Sequence, residues 1–444
     1  MDRHEITGTA PDQYQALHFA GCSAPIYSAA GDDLAAGLLN CLTGWDHSIS
    51  VEPAPDPASQ PLLAVVARSG PHGTTSDLES GYFVASRYSD RPTGRLGLAS
   101  AACSLIADLS LDWAESAPQM LALHAGAVEV GGEIIALIGP ARAGKSTFTT
   151  RLALEPEVRF ICDDVLPVDF SGHGHALGIA PRLRLPLPPN AARLQRLLVD
   201  ARLLEDRRYA YVAPPLMASH GDRVPLGAIV LIERRGDLPA GLYALETGEA
   251  VSLLLRQSLT GFADAAEAFA QISQLVSRLP MARLVFEDLE QGTQLLTEAW
   301  QDKARWSHLP DLPSTSLPSS MSKAPSLENR ASLTLGGDAG TGPEAEDMPP
   351  NRLSNDQVLS QNVAAVLRRT GSRSWLWLPD EAKLWELNAT SLAIWSMLDE
   401  PGSAEDLAQA LAEVYPQVSY EKLREDTALM LTELYRAGFL YEYS

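Results

Sequence analysis

The stretch Gly139-Pro140-Ala141-Arg142-Ala143-Gly144-Lys145-Ser146-Thr147 meets the phosphate-binding pattern G-x-x-x-x-G-K-[ST] at every fixed position. Its glycines let the backbone wrap a phosphate, and successive N–H groups and a helix N-terminus point at the oxygens. In this pattern Lys145 reaches the terminal phosphates and the Ser146 hydroxyl can ligate Mg2+. Eighteen residues beyond the lysine stands an acidic pair, Asp163-Asp164. Adjacent carboxylates at a strand end beside such a loop suit phosphoryl transfer. One holds Mg2+ and the other accepts a proton from an attacking hydroxyl. The bland alternative is a glycine-rich turn with a surface lysine, followed by a capping and a solvated aspartate.

The surrounding elements favour the first reading. Glu133–Ile138 is apolar and β-branched, as a buried strand should be, and Phe148–Leu154 reads as a helix opening at the loop. Ala127–Val130 and Gly132–Ile135 predict a hairpin turning at Gly131-Gly132. Strands are expected at Val158–Ile161, Ala228–Glu233 and Arg283–Glu287, and a helical pattern over Ala250–Leu275. Strands alternating with helices around a phosphate loop make residues 119–302 an α/β nucleotide domain. Before it, residues 1–118 show strand-like Leu62–Ala67 and Gly81–Ser86 and a helical Ser100–Trp113, with no catalytic constellation. Residues 303–352, rich in Ser, Gly and Pro, read as a disordered linker. Residues 353–444 read as a compact α+β module in the order βββααα. Its strands are Val363–Leu367, Ser374–Leu378 and Lys383–Leu387, and its helices are capped by Asn388, Ser403 and Ser419.

Bulk properties exclude several classes. The chain has 444 residues, enough for two or three domains, and a hydrophobic content of 45%, enough for real cores. A net charge of −22 argues against nucleic acid and anionic membrane as partners. Cys22, Cys41, Cys103 and Cys162 are scattered, which fits a reducing compartment and no structural zinc. No signal-peptide pattern and no membrane-length apolar run is present, so a cytoplasmic protein is expected. Homo-oligomerisation is left open.

His124-Ala-Gly-Ala-Val, the hairpin, the loop Gly139–Thr147 and Ile161-Cys-Asp-Asp-Val165 together resemble the HPr kinase/phosphorylase superfamily over residues 120–300. The signature that follows in full-length HPr kinases has no clear counterpart. The resemblance implies a P-loop fold using ATP and Mg2+ to phosphorylate a serine hydroxyl on a protein or peptide. By position, Asp163 would be the general base, Asp164 and Ser146 would organise the metal, and His124 and Lys145 would lie near the transferred phosphoryl. Arg142, Arg182, Arg184 and Arg208 are candidates for neutralising its charge, and sequence does not choose among them.

The C-terminal module, through Leu387-Asn-Ala-Thr-Ser-Leu-Ala-Ile-Trp395 and Ala437-Gly-Phe-Leu440, resembles PqqD-like peptide chaperones, the recognition element of ribosomally made peptides. Its fold would be winged-helix-like. The resemblance implies that a leader peptide adds as a strand beside Lys383–Leu387, against the helix Leu423–Leu434. A winged-helix DNA reader has similar periodicity, but eight Lys/Arg against fourteen Asp/Glu in 351–444 fit DNA poorly. The joint expectation is a kinase tailoring a ribosomally made precursor peptide, lasso peptides being one setting. The rivals are a non-catalytic ATP-binding chaperone and a small-alcohol kinase.

Overall fold

The structure, a computed structural model, describes residues 13–29, 32–53, 55, 63–69, 81–89, 93–117, 120–140, 143–259, 265–313, 331–334, 353–379 and 383–443. They group into two units, Met1–Ala244 with Leu279–Asp311, and Leu245–Arg278 with Leu312–Ser444.

In the first unit, β1 (Gln13–Phe19), β2 (Ile26–Ala29), β3 (His47–Pro53), β4 (Ala64–Ser69), β5 (Gly81–Ser86) and β6 (Thr93–Leu96) form a sheet in the order β3-β1-β2-β4-β5-β6. Helices α1 (Asp32–Asn40) and α2 (Leu98–Ser116) cover it. Leu34 and Leu38 from α1 and Leu105 and Leu109 from α2 share one core with Leu17 and Ile26. Removing such side chains from water is the main stabilising contribution.

A larger sheet follows, with β7 (Met120–His124), β8 (Gly126–Val130), β9 (Glu133–Ile138), β10 (Arg159–Cys162), β11 (Val165–Asp169) and β12 (His173–His175). The expected hairpin forms between β8 and β9, and Gly131 and Gly132 take φ of 62° and 83°. Two successive left-handed residues suit glycine alone at low cost. Helix α3 (Lys145–Leu152) lies between β9 and β10 in the chain. Strands β13 (Arg182–Arg184), β14 (Arg202–Glu205) and β15 (Tyr209–Val212) make a small sheet, with helix α4 (Ala192–Asp200) between β13 and β14 in sequence.

β16 (Arg223–Arg234), β17 (Gly241–Ala244) and β18 (Met281–Phe286) complete the larger sheet. β9, β16 and β18 run parallel to one another, so their C-terminal ends share the edge from which the chain departs at Gly139. Helix α7 (Leu289–Gln301) and α3 pack on these strands; Phe148 stacks on Phe286 with ring centroids 4.9 Å apart. Arg151, buried on α3, is held by Glu155 at 2.6 Å and by Glu290. A 3-10 helix, Lys303–His308, buries Trp306 in the same core, and Lys303 Nζ reaches Glu133 at 2.7 Å. Residues 303–311, which composition assigns to a linker, therefore belong to the packed first unit. The expected linker residues 314–330 and 335–352 lie outside the described residues.

The second unit contains α5 (Thr247–Gln257) and α6 (Ala265–Arg278), the helical pattern that sequence placed in the nucleotide domain. With them come β19 (Ala331–Thr334), β20 (Leu359–Gln361), β21 (Val366–Thr370), β22 (Arg373–Trp377) and β23 (Lys383–Leu387). Helices α8 (Ala389–Met397), α9 (Ala404–Val414) and α10 (Tyr420–Arg436) and strand β24 (Leu440–Glu442) end the unit. Its main sheet has the order β19-β23-β22-β21, and β20 pairs β24. The three helix caps form as expected. Asn388 accepts from Ser391 N–H and Ser419 from Lys422 N–H, while Ser403 and Asp406 make a reciprocal capping box.

Alternation along the strands gives this sheet two covered faces. Leu376 and Leu387 join Ile394, Leu411, Leu431 and Phe439 on the side of α8–α10. On the other side Phe269 of α6 lies 5.2 Å from Trp375 and 5.5 Å from Trp377, centroid to centroid. Glu386 is bound there by Ser252 and Arg256 of α5, each at 2.7 Å, and by Arg373 at 2.5 Å. Burial opposes ionisation of Glu386, but these partners outweigh it and hold its carboxyl below the usual range. Glu246 caps α5 and accepts from Ser372 N–H at 3.2 Å in the turn between β21 and β22.

Candidate functional site

At Ile138 β9 ends, and the chain leaves the sheet through Gly139 and Pro140 before entering α3 at Lys145. Ala141 and Arg142 lie outside the described residues. Gly144 is the N-cap residue of α3, with φ of 92°. A Cβ there would meet nothing within 4 Å, so backbone conformation rather than space calls for glycine. The cap offers no side-chain acceptor to the first N–H groups of α3, which leaves them for an anion. Ala143 N–H donates to the Pro140 carbonyl at 3.1 Å and closes the turn, and Thr147 follows, partly buried, in the first turn of α3.

Lys145 is buried, and its Nζ donates to the Gly139 carbonyl at 2.9 Å and the Pro140 carbonyl at 3.5 Å. Burial lowers its pKa from the ordinary value, and the Asp164 carboxylate works the other way. The ammonium thus folds over the loop that precedes it. Ser146 Oγ donates to the Asp163 carbonyl at 3.4 Å, so the loop helix and the acidic pair share one place.

Asp163 and Asp164 occupy the turn between β10 and β11. The two carboxyls meet different surroundings. Asp163 is buried, and its Oδ2 accepts from the Arg182 N–H at 3.0 Å. Burial drives its carboxyl up to about 6; Arg182 pulls it down, and Asp164 pushes it up again. Asp164 has a side chain 45% exposed, with His124 Nε2 3.2 Å from one oxygen and the Arg182 guanidinium 3.8 Å from the other. Desolvation opposes its charge, but His124, Arg182 and Lys145 prevail and its carboxyl stays below the usual range. His124 is set there by register, as the last residue of β7 opposite Val165 of β11.

Among the described candidate arginines, Arg182 is the one that reaches the acidic pair. Its guanidinium also contacts the Cys103 thiol from α2 and lies 5.1 Å over the Tyr209 ring. Arg184 and Arg208 lie over that same ring, at 6.0 and 5.4 Å. Cys103, Ile106, Asp163, Asp164, Arg182 and Tyr211 line one cleft. Helix α2, from the region without an assigned role in sequence, thus builds one wall of it. Cys103 and Tyr211 carried no motif, and their only signal is proximity in the fold.

The donor set fits a nucleotide with a hard cation. Gly139, Gly144, Lys145 and the start of α3 would hold phosphates, and Ser146 with Asp164 would supply oxygen ligands. Two protein oxygens suit Mg2+, which keeps several waters and takes its remaining ligands from phosphates. Among the described residues no group of three or more His, Cys, Asp or Glu is arranged to hold a metal.

In the second unit, Leu423, Met430, Leu431 and Leu434 of α10 are core residues. The outward part of the same helix, with Arg424, Ala428, Leu429 and Thr432, lines a groove with Leu353. The outer side of β23 is paired by β19.

Residues 374–440 match the family described as Coenzyme PQQ synthesis protein D (PqqD), so this segment is a PqqD-like domain, a recognition element of ribosomally made, modified peptides. No curated protein matches the chain. Among the described residues no helix is long and apolar enough to cross a membrane.

Proposed function

We propose that the protein is an ATP- and Mg2+-dependent kinase of an HPr-kinase-like type, acting on a hydroxyl, foremost serine, of a precursor peptide. In this reading the PqqD-like domain holds the peptide by its leader. One observation carries the enzymatic half: Asp163, its carboxyl at about 6, stands beside an ionised Asp164 at the foot of the phosphate-loop helix. A carboxylate poised near 6 is ionised at neutral pH and still basic enough to take a proton, which suits a general base. A bound nucleoside triphosphate with Mg2+ would supply the phosphoryl group and leave as the diphosphate. Asp163 receives the hydroxyl proton, and its backbone anchor to Arg182 fixes where that happens. Lys145 and Arg182 add positive charge around the reacting oxygens, where fixed charges act at no cost of reorganisation. His124 and Arg182 keep Asp164 charged and ready to ligate metal.

The peptide-binding half is supported by the PqqD-like domain. Joining a recognition domain and a transfer site in one chain makes the second encounter intramolecular and raises the effective concentration of a weak substrate. The test is incubation with γ-labelled ATP and the short peptide encoded beside the gene. Label on the peptide supports the kinase. Nucleotide binding without transfer favours the non-catalytic chaperone, and label on a small alcohol but never on peptide favours the third reading.

A further inference from the structure

β23 has two neighbours, and one of them comes from far away in sequence. On its inner side it pairs with β22, Trp375 opposite Glu386 and Leu376 opposite Trp385. On its outer side it pairs antiparallel with β19, Ala331 opposite Glu386, Ser332 opposite Trp385, Leu333 opposite Leu384 and Thr334 opposite Lys383. Without β19 this side of β23 would be a free edge, a row of N–H and C=O groups ready to pair with any extended chain. An added strand is held mainly by main-chain bonds, which do not depend on sequence. The Ala-Ser-Leu-Thr segment therefore needs no special side chains to compete for the place.

We infer that residues 331–334 are an internal occupant of the peptide-acceptor edge, displaced when an extended precursor segment pairs with β23. This inference rests on the peptide-recognition reading above. Its logic is competition between a tethered, short strand and a free, longer one. The tether gives β19 a high local concentration, so it closes the edge against weak or chance sequences. Its length, four residues, lies at the short end for a strand, so a peptide that pairs along the whole of β23 and also contacts α10 can replace it. The edge is thereby protected from pairing with a second copy of the protein, a hazard that exposed strands carry.

The experiment uses the full chain and a Ser332→Pro/Leu333→Pro double variant. Neighbouring N–H groups of a strand point to opposite sides, so one of the two prolines removes a donor that faces β23. A second variant, with residues 331–334 deleted, covers the case in which the prolines disturb folding. Two quantities are read: amide hydrogen exchange over 383–387, and binding of the labelled precursor peptide encoded beside the gene. Expected are faster exchange at 383–387 and precursor binding tighter by about tenfold, if the edge is free only about a tenth of the time. A synthetic peptide of residues 327–338 should bind the variants and not the parent. Unchanged exchange in both variants overturns the inference. Faster exchange with equal precursor affinity overturns the competition and leaves peptide recognition standing. Faster exchange with no precursor bound by any of the proteins overturns both.

Discussion

The imidazole Nε2 of His124, at the end of β7, lies 3.2 Å from Oδ1 of Asp164, in the turn that feeds β11. The contact helps keep Asp164 ionised below its ordinary pKa. A group with a depressed pKa stabilises the fold above its unfolded pKa, here 3.8, and the stabilisation is lost as pH falls through the folded value. His124→Ala should raise the Asp164 pKa toward its ordinary value and, because the carboxylate loses the contact that orients it, raise the Mg2+ concentration needed for half-maximal turnover. Because Asp164 is nearly half exposed, the loss of stability should stay below about 1 kcal/mol. Mg2+ titrations at pH 5.5 and 7.5 check this, and an unchanged requirement at both would remove Asp164 from the metal.

Asp163 has the opposite sign. Its folded pKa of about 6 exceeds the ordinary 3.8, so its ionisation weakens the fold as pH rises from about 4 through about 6. Asp163→Asn should gain stability above that window, by at most about 3 kcal/mol at about 1.36 per pKa unit, and gain nothing near pH 4. The amide oxygen can still accept from Arg182 N–H. Phosphoryl transfer should fall by about 10²–10⁴ with nucleotide affinity little changed. Melting curves at pH 4 and 7.5, alongside rates, test both halves. In the parent, the rate should rise with pH through about 6 and then level.

Lys145→Ala removes a buried ammonium that sits on the loop carbonyls. Turnover should drop by about 10²–10³, as for loss of one preorganised charge donor. Circular dichroism should show the fold retained. Full activity in the folded variant would sink the phosphate-loop assignment.

Phe269→Ala should uncover Trp375 and Trp377 and cost about 3–5 kcal/mol, the usual range for deleting a buried ring. A fragment starting at residue 353 lacks the whole of α5 and α6 and should show the same exposure. Dye binding to apolar surface, compared with a fragment that carries 245–278 fused to it, is the readout. Equal, low binding by both fragments would show that the two helices are dispensable.

Ser403→Ala deletes one half of the capping box on α9 and should cost about 1 kcal/mol, seen as a lower melting temperature without loss of peptide binding.

Local signals in the sequence were legible where neighbours in the chain decide the outcome. Asn388, Ser403 and Ser419 cap the helices they precede, and Gly131-Gly132 makes its turn, because the partners lie within a few residues. Val363 shows how such signals fail. It has a strand former's shape but is 93% exposed, since Asn362 accepts from Ala364 N–H and its carbonyl from Ala365 N–H, which turns the chain before β21 starts. The cleft was less legible. Its Asp pair carries a motif, as does the glycine-rich loop beside it, whereas Cys103 and Tyr211 enter only when α2 and β15 pack around the pair. Periodicity likewise revealed the apolar faces of α5 and α6 but not which sheet would cover them.

Synthesis order separates α5 and α6 from the sheet that covers them. Helices α5 and α6 leave the ribosome well before Arg373–Leu387, the strands that bury Phe269 and bind Arg256. At about 5–20 residues per second, synthesis leaves the apolar stripe of α6 waiting for seconds. During that interval Phe269, Ile272 and Val276 have no sheet of their own to cover. Slow or stalled synthesis beyond residue 278 should therefore yield a nascent chain that holdase chaperones bind, and a chaperone footprint centred on α6 would record it.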